Sequence, residues 1–423
     1  MYETAERKER FILIAVEKDG VDSETNLDEL SLLVETAGAE TVGRIIQKRD
    51  GVHPGHYFGK GKIDEVMALV DALDADAVVA DDELSPAQQR NLAQRLNVKV
   101  LDRTMVILDI FAQRAQTAEG RAQVELAQLK YTLSHLSGIG ISLSRQGGVA
   151  GHGGVGNRGP GEKKLELDRR YIRSRIDQLN KELKELRENR ALLRKKRTKQ
   201  DIPVVALVGY TNAGKSTLLN ALTGAGVLAE NKLFATLDTT TRKTILPDGG
   251  AEILLTDTVG FINKLPHHLI QAFRATLEET RYADILLHVV DASSPQHQQQ
   301  METVYETLKS LDCLDKPIVT AFNKMDAMAP DAPIPTDTNA AYTALISAQE
   351  GTNIPVLLQA IEKVLDAMRS KMAVLIPYSE GALVSLIHAA CKVLAVENRE
   401  DGTYMEIYAT DEIAERAKPY LAL

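Results

Sequence analysis

The sequence predicts an α/β protein with four parts: an N-terminal parallel-sheet α/β domain, a long antiparallel helical hairpin, a second α/β domain and a small C-terminal α+β lobe. Three observations support this. Short apolar strands alternate with helical spacing in two separate stretches, two long segments between them carry heptad spacing, and the C-terminal stretch has its own pattern. We place the boundaries at 1–104, 105–200, 201–370 and 371–423.

The first part alternates strand-like and helix-like runs. This βαβ rhythm implies a parallel sheet covered by helices. Ser85 and Pro86 predict a helix start, because serine caps a helix and proline suits its first turn. The predicted strands are 11–17, 40–48, 75–81 and 98–102, and the predicted helices are 27–37, 63–73 and the run after Pro86.

The second part contains two helices with apolar residues at alternating steps of four and three. Two such seams joined by one loop predict an antiparallel hairpin. The seam positions are Ala122, Leu126, Leu129, Leu133 and Leu136 in the first helix, and Ile172, Ile176, Leu179, Leu183, Leu186 and Leu193 in the second.

A glycine-rich stretch, 147–161, lies at the predicted tip of this arm. It matches the dinucleotide template from Gly151 to Gly156, but that template needs a preceding strand, and here a helix precedes it. We therefore interpret the tip as a spacer or as a surface that fits closely against another molecule.

Charge is unevenly distributed along the chain. The net charge is −9, yet 162–199 contains fifteen Lys or Arg against seven Asp or Glu, a local +8 that leaves −17 elsewhere. A concentrated basic segment in an acidic protein indicates either a polyanion-binding surface or a solvated helix face.

The compartment follows from what the sequence lacks. Cys313 and Cys391 are far apart and have no metal-ligand spacing, so no structural disulfide is expected. No apolar window is long enough to span a membrane, and the charged N-terminus has no signal-peptide pattern. A cytoplasmic protein is expected.

The third part repeats the strand-and-helix alternation and is followed by the lobe. In the lobe we predict a helix near 379–391, a hairpin around Asp401 and Gly402, and a closing helix. The strands of the third part are predicted at 203–209, 251–260, 283–293, 316–326 and 340–348, with a helix at 355–369.

The strongest motif follows the strand at 203–209 and matches GxxxxGK[ST]. In such a loop the backbone N–H groups wrap phosphates, Lys215 reaches the β- and γ-phosphates and Ser216 binds Mg²⁺. Its residues are Gly209, Tyr210, Thr211, Asn212, Ala213, Gly214, Lys215 and Ser216, followed by Thr217.

Two later segments predict that the base is guanine. A fixed Asp326 carboxylate accepts both N1–H and N2–H of guanine, a donor pair that adenine lacks. Lys324 is expected to lie along the base face. The segments are Asn323, Lys324, Met325 and Asp326, then Ser347, Ala348 and Gln349, with Gln349 where lysine is commoner.

Two further segments have the order of nucleotide switches. Asp257 is expected to face the Mg²⁺ shell and the Gly260 N–H the γ-phosphate. A threonine of the first switch is expected on Mg²⁺, with Thr236 favoured by spacing and Thr240 next. The segments are Phe234, Ala235, Thr236, Leu237 and Asp238, then Asp257, Thr258, Val259 and Gly260.

Position 261 is phenylalanine, where many GTPases have a glutamine that orients water. Phenylalanine cannot orient water, so unaided hydrolysis is expected to be slow. Asn212 is a candidate to help catalysis by holding K⁺, as in GTPases with a GxxNxGKS loop. Lys215, Asn212, Thr236 and Gly260 are therefore the expected catalytic residues.

Together, GYTNAGKST, FATLD, DTVGF and NKMD resemble the HflX-type GTPases, a branch of the P-loop class related to translation factors. The likeness extends to Asp102-Arg-Thr, to 108–115, to RGPGE at 158–162 and to 165–170, and covers most of residues 10–370. This resemblance implies an N-terminal α/β domain, a helical arm, a G domain and a small lobe.

The resemblance also implies partners and an activity. It implies binding to the large ribosomal subunit, through rRNA and ribosomal proteins, and GTP-dependent splitting of ribosomes, with GTP or GDP and Mg²⁺ bound. We expect a monomer whose tip, 147–161, enters the catalytic centre of the ribosome. The glycine loop is longer than the usual GGxGxRGPGE form.

Two other functions stay open: an RNA-binding assembly scaffold with structural GTP, and a tRNA-modification GTPase.

The sequence also contains smaller features. Gly59 to Lys62, before a helix, indicates either a phosphate site, for RNA or a second nucleotide, or a capped turn. His53 and His56 are interpreted as a turn rather than a metal site. His152 and Asp291 are interpreted as structural.

Overall fold

The computed structural model describes residues 7–18, 22–146, 160–198, 202–224, 233–237, 239–247, 252–266, 269, 279–409 and 411–422. Residues 147–159 of the predicted tip, 147–161, and the switch residue Asp238 lie outside the described residues. The chain forms two compact units. One comprises Met1–Glu188, Lys232–Leu237 and Lys264–Arg274, and the other comprises Asn189–Asn231, Asp238–Asn263 and Ala275–Leu423.

The first unit contains a four-stranded parallel sheet in the order β2-β1-β3-β4. The parallel α/β architecture predicted from the βαβ rhythm is confirmed. The strands are β1 (Arg10–Glu17), β2 (Glu40–Lys48), β3 (Ala77–Ala80) and β4 (Lys99–Asp102), and the helices are α1 (Ser23–Thr36), α2 (Lys60–Leu73), α3 (Pro86–Leu96) and α4 (Arg103–Arg114).

Local capping fixes where these helices begin. Ser85 and Gln88 form a reciprocal capping box at the start of α3, as the Ser85-Pro86 pair predicted. At the next helix Asp102 is the N-cap, and its Oδ1 accepts the N–H of Met105 at 2.9 Å. Both caps satisfy backbone donors that a helix start leaves without a partner.

The turn before α2 is held by His53. Its Nδ1 accepts the N–H groups of Gly55 and His56, and the two imidazole rings stack with centroids 5.6 Å apart. These contacts agree with the interpretation of the two histidines as turn residues.

Helices α5 (Ala118–Gln146) and α6 (Pro160–Thr198) pack along the predicted heptad seam. Arg175 spans the helix pair through a two-fold hydrogen bond to Glu125, with Nε–Oε1 and Nη2–Oε2 distances of 2.7 and 2.8 Å. The buried seam residues are Ala122, Leu126, Leu179 and Leu183, flanked by the half-buried Leu129, Ile176 and Leu186.

The second unit is built on a six-stranded sheet in the order β10-β9-β8-β5-β7-β6. All neighbours are parallel except β6 and β7. The strands are β5 (Val204–Gly209), β6 (Thr240–Ile245), β7 (Glu252–Asp257), β8 (Ile285–Asp291), β9 (Ile318–Asn323) and β10 (Tyr342–Leu345), and the helices are α7 (Lys215–Thr223), α8 (His297–Ser310) and α9 (Ile354–Met368).

The C-terminal lobe is a three-stranded antiparallel sheet, β11-β13-β12, with two helices. The hairpin turns at Asp401 and Gly402 as predicted. Its elements are β11 (Ser370–Ile376), α10 (Gly381–Ala390), β12 (Lys392–Arg399), β13 (Gly402–Ala409) and α11 (Asp411–Ala417).

Lys392 anchors the lobe to α9. Its Nζ lies 2.8 Å from Glu362 Oε1 and 2.9 Å from Asp366 Oδ2.

The four predicted domain boundaries stay predictions, since each compact unit combines several of the predicted segments. Among the helices that the structure describes, none is both long and apolar enough to cross a lipid bilayer.

Candidate nucleotide site

Four parallel strands of the second unit end at chemically important residues. Strands β5, β7, β8 and β9 end at Gly209, Asp257, Asp291 and Asn323. Since the carboxyl ends of parallel strands meet at one edge of the sheet, ligands of such sheets bind there. The predicted motifs therefore converge on one edge.

The loop after β5 leads directly into α7 at Lys215, the strand–loop–helix arrangement that the motif requires. Gly214 has φ of 93°, and a Cβ at this position would lie 2.2 Å from Asn323 Nδ2. Only glycine fits this position. Asn212 is exposed with φ of 61°, whereas Thr211 and Ala213 are buried.

Lys215 lies inside this loop and is buried. Its Nζ donates to the carbonyl oxygens of Gly209 at 3.1 Å and Tyr210 at 2.8 Å. Burial lowers the pKa of Lys215 to about 8, although the nearby Asp257 carboxylate opposes the shift. A buried ammonium group in a ring of backbone groups suits recognition of a phosphate.

Ser216 and Asp257 place two potential metal-ligating oxygen atoms near Lys215. The Ser216 hydroxyl donates to Asp257 Oδ2 at 2.8 Å, and the Asp257 side chain is fully buried at the end of β7. A hydroxyl and a carboxylate are hard oxygen ligands, which is the chemistry that Mg²⁺ prefers. These two residues therefore fit a Mg²⁺ site next to bound phosphates.

The segment after β7 pairs with the phosphate-binding loop. The Phe261 N–H donates to the Gly209 carbonyl at 3.0 Å, and the Thr211 N–H donates to the Phe261 carbonyl at 2.7 Å. A Cβ on Gly260 would lie 2.9 Å from Lys215 Nζ. Gly260 is thus packed against the lysine, and Phe261 is buried instead of facing solvent.

Two side chains near this segment also have fixed positions. The Tyr210 hydroxyl accepts the N–H of Asn263 at 2.7 Å, and the Thr258 hydroxyl donates to the Leu207 carbonyl at 2.6 Å. Val259 is buried, whereas Thr217 in α7 is half-buried.

Asn323 links the phosphate-binding loop to the loop after β10. Its Nδ2 donates to the Ala213 carbonyl at 2.9 Å, and its Oδ1 accepts the N–H of Ala348 at 2.9 Å. Ser347 is buried, and its hydroxyl accepts the N–H of Glu350 at 3.1 Å. Three segments that are far apart in sequence are thereby held at one amide side chain.

The remaining residues of these two segments are closer to solvent. Asp326 and Gln349 are exposed, and the Met325 N–H donates to the Ile346 carbonyl at 3.1 Å. Lys324 is in the left-handed region and its Nζ lies 2.7 Å from Asp291 Oδ2.

The first-switch residues that the structure describes, 233–237, belong to the first unit. Phe234 is buried and its ring meets Phe111 edge to face, with centroids 4.7 Å apart. Ala235 and Thr236 are half-buried and Leu237 is buried. Lys264, which follows the second switch, also belongs to the first unit and forms ion pairs with Asp81 and Asp82.

Sequence reasoning missed two polar groups of the second unit. Asp291 ends an apolar strand just as Asp257 does, a signal that was available. The hydrogen-bonded group of Asp337, Thr320 and the half-buried Tyr305 left no signal, because its members come from separate elements.

Three family models match consecutive parts of the chain. A model described as GTP-binding GTPase N-terminal matches residues 24–112, one described as GTP-binding GTPase Middle Region matches 114–197, and one described as 50S ribosome-binding GTPase matches 204–324.

Curated relatives match nearly the whole chain. Proteins described as GTPase HflX are 52% identical in Lacrimispora saccharolytica, over 98% of this chain and 96% of the relative, and 47% identical in Caldanaerobacter subterraneus, over 100% and 96%. In Escherichia coli the identity is 42%, over 95% of this chain and 94% of the relative. Since these relatives match at 42–52% identity over nearly their whole length, and the phosphate-binding loop has the geometry that the activity requires, the chain belongs to the HflX family of GTPases and hydrolyses GTP to GDP and phosphate.

Proposed function

We propose that this GTPase binds the large ribosomal subunit through its helical arm and uses GTP binding and hydrolysis to split ribosomes. The observation that carries the proposal is a basic stripe on α6. Its members are the exposed residues Arg170, Arg173, Lys181, Lys184 and Arg187.

The spacing of the five cations along α6 places them on one face of the helix. At about 100° per residue the five cations fall within about 120° of one another, on a face beside the apolar seam that also carries the exposed Asp177 and Glu188. A row of cations on a rigid helix suits the phosphates of folded RNA, which proteins recognise largely through shape and backbone. The family description 50S ribosome-binding GTPase supports the same partner.

At the nucleotide site we assign roles to individual residues. Lys215 contacts the β- and γ-phosphates, the Gly260 N–H contacts the γ-phosphate and Asp326 reads guanine. Ser216, Thr236 and the Asp257 carboxylate would hold Mg²⁺, which neutralises phosphate charge when bound. Asn212 would hold K⁺, which would supply positive charge to the phosphates, and rRNA contact accelerates an otherwise slow hydrolysis.

Sedimentation of ribosomes through sucrose gradients tests this function. With GTP or a non-hydrolysable analogue, the protein should sediment with the large subunit and increase free subunits, whereas GDP should have little effect. Sedimentation that is independent of nucleotide, without faster phosphate release on ribosomes, would instead favour an assembly scaffold.

A charge variant tests the arm. Arg173→Ala, Lys181→Ala and Lys184→Ala together should abolish co-sedimentation while leaving GDP affinity unchanged. The matched control changes three exposed cations elsewhere, Arg281, Lys309 and Lys371, to alanine. Equal loss in both triple variants would contradict a specific surface on α6.

A further inference from the structure

Asp291 and Lys324 face each other across two neighbouring strands. Asp291 ends β8 and pairs in register with Asn323, which ends β9 directly before Lys324. The Ala292 N–H donates to the Asn323 carbonyl at 2.8 Å, so the two strand ends stay together. The Lys324 ammonium nitrogen lies 2.7 Å from Asp291 Oδ2.

The Asp291 carboxylate is itself held in place. Its Oδ1 accepts the N–H of Ser293 at 3.0 Å and the Ser293 hydroxyl at 2.6 Å. One oxygen therefore fixes the turn after β8, while the other holds the lysine. A carboxylate restrained in this way can restrain a flexible partner in turn.

The ion pair between Asp291 and Lys324 contributes little to the stability of the fold. The Asp291 and Lys324 side chains are only 17% and 29% exposed, and in a largely buried ion pair the cost of desolvation offsets most of the Coulombic attraction, so the net gain in folding stability is small. Lysine has four rotatable side-chain bonds, and ordering such a chain when a ligand binds weakens the binding. A lysine already held at its tip avoids most of this loss.

We propose that Asp291 is a positioning residue for the guanine nucleotide. It anchors the Lys324 ammonium group, so that the aliphatic part of Lys324 is ordered beside Asp326 before the base arrives. This inference rests on the proposed guanine site. Asp291 contacts Lys324 and the turn after β8, whereas Asp326 reads the base edge.

The test measures GDP affinity of the full chain by fluorescence titration. Asp291→Asn keeps the shape of the side chain and removes its charge, and should weaken GDP binding about five- to twenty-fold through loss of preorganisation. Lys324→Met should weaken it similarly, and the double variant should be no weaker than Lys324→Met alone, because the two residues act as one unit.

Discrimination between guanine and hypoxanthine shows whether Asp291→Asn affects only the positioning of Lys324 or disrupts the whole nucleotide site. The ratio of inosine to guanosine diphosphate affinity depends on Asp326, so Asp291→Asn should leave it within about two-fold of the parent. The matched control is Asp315→Asn, an exposed carboxylate between α8 and β9, which should leave GDP affinity unchanged.

Asp326→Asn distinguishes failure of this inference from failure of the site. An amide at this position should prefer xanthine, whose exocyclic oxygen accepts a hydrogen bond where guanine donates one. If that exchange occurs while Asp291→Asn binds GDP like the parent, or if the Asp291 and Lys324 losses simply add, the positioning role is wrong. Without the exchange, the guanine site itself is wrong and the inference fails with it.

Discussion

Burial at Lys215 makes nucleotide binding depend on pH. The pKa of this lysine is lowered to about 8 by burial, and phosphate binds the protonated form. The free protein loses that proton as pH rises through 8, so binding must take up a proton there. We predict that the GDP dissociation constant rises about four-fold between pH 7 and 8.5.

Calorimetry in buffers of different ionisation enthalpy measures this proton uptake directly. The control is Lys215→Met, which should bind weakly and with no dependence on pH in this range. A flat profile for the parent protein, with no proton taken up, would show that Lys215 stays charged in the free protein.

Asp337 is a second residue whose charge is held by its surroundings. Its Oδ2 accepts the hydroxyls of Thr320 at 2.6 Å and Tyr305 at 2.7 Å, and its Oδ1 accepts the N–H of Asn339 at 3.0 Å. Burial opposes ionisation, but these hydrogen bonds outweigh it and lower the pKa of Asp337. His288 Nδ1 lies 3.8 Å away, and burial lowers the pKa of His288.

A carboxyl group with a lowered pKa stabilises the fold above its unfolded-state pKa and loses that effect as pH falls. We predict that Asp337→Asn lowers the free energy of unfolding by about 1–3 kcal/mol at pH 7, and by less at about pH 2.5, which is below the unfolded-state pKa of about 3.9. Urea unfolding at both pH values measures the difference. Asp331→Asn, exposed in the same loop, is the control. A loss that does not shrink in acid would exclude the ionised carboxylate as its cause.

Sequence reasoning succeeded at residues whose roles depend on local spacing. Gly214, Lys215 and Ser216 belong to one continuous motif, and the structure places them between a strand and a helix as expected. Asp337 could not be found in this way, because Thr320 and Tyr305 come from β9 and α8. A polar contact between distant segments leaves no periodic pattern in a single sequence.

At the scale of elements, predictions succeeded where the apolar pattern is clear and missed two edge strands, β6 and β11. The heptad seam is buried as its spacing predicted. In contrast, the sequence analysis places Thr240 in a switch loop and predicts no strand after it, yet Thr240–Ile245 forms β6, an antiparallel edge strand. Its alternating pattern contains threonine and charged residues, since only one neighbouring strand covers it. Strand β11 was missed in the same way.

The seam of α5 and α6 makes a testable contribution to the arm. Leu179 is 1% exposed within it, whereas Leu167 on the same helix is 64% exposed. We predict that Leu179→Ala destabilises the helix pair by about 2–4 kcal/mol. Backbone amides of 118–135 and 166–188 should then exchange with solvent at least about ten-fold faster.

Hydrogen exchange followed by mass spectrometry resolves this change by segment. Leu167→Ala should leave exchange in both helices as in the parent. If Leu179→Ala accelerates exchange equally in the C-terminal lobe, the two helices are not stabilised by their own seam.

At the scale of the whole molecule, the proposed RNA-binding surface and the nucleotide site belong to different units. The chain is acidic overall at −9, so it is not a general polyanion binder. The cations of 170–187 are on a helix of the first unit, while the phosphate-binding loop is in the second. Affinity for RNA and affinity for nucleotide should therefore respond differently to salt.

Ionic strength provides the last prediction. If the five stripe cations of α6 each contact one phosphate, the slope of log affinity for the large subunit against log salt concentration is about −4. Doubling the salt then weakens binding more than about ten-fold.

Replacing Arg173, Lys181 and Lys184 by alanine should make the slope shallower by about 2, because binding then neutralises fewer phosphates and releases fewer counterions. The triple control at Arg281, Lys309 and Lys371 should keep the parent slope. Binding measured by filtration at four salt concentrations, with Mg²⁺ held constant, gives both values. An unchanged slope in the stripe variant would show that other residues contact the RNA phosphates.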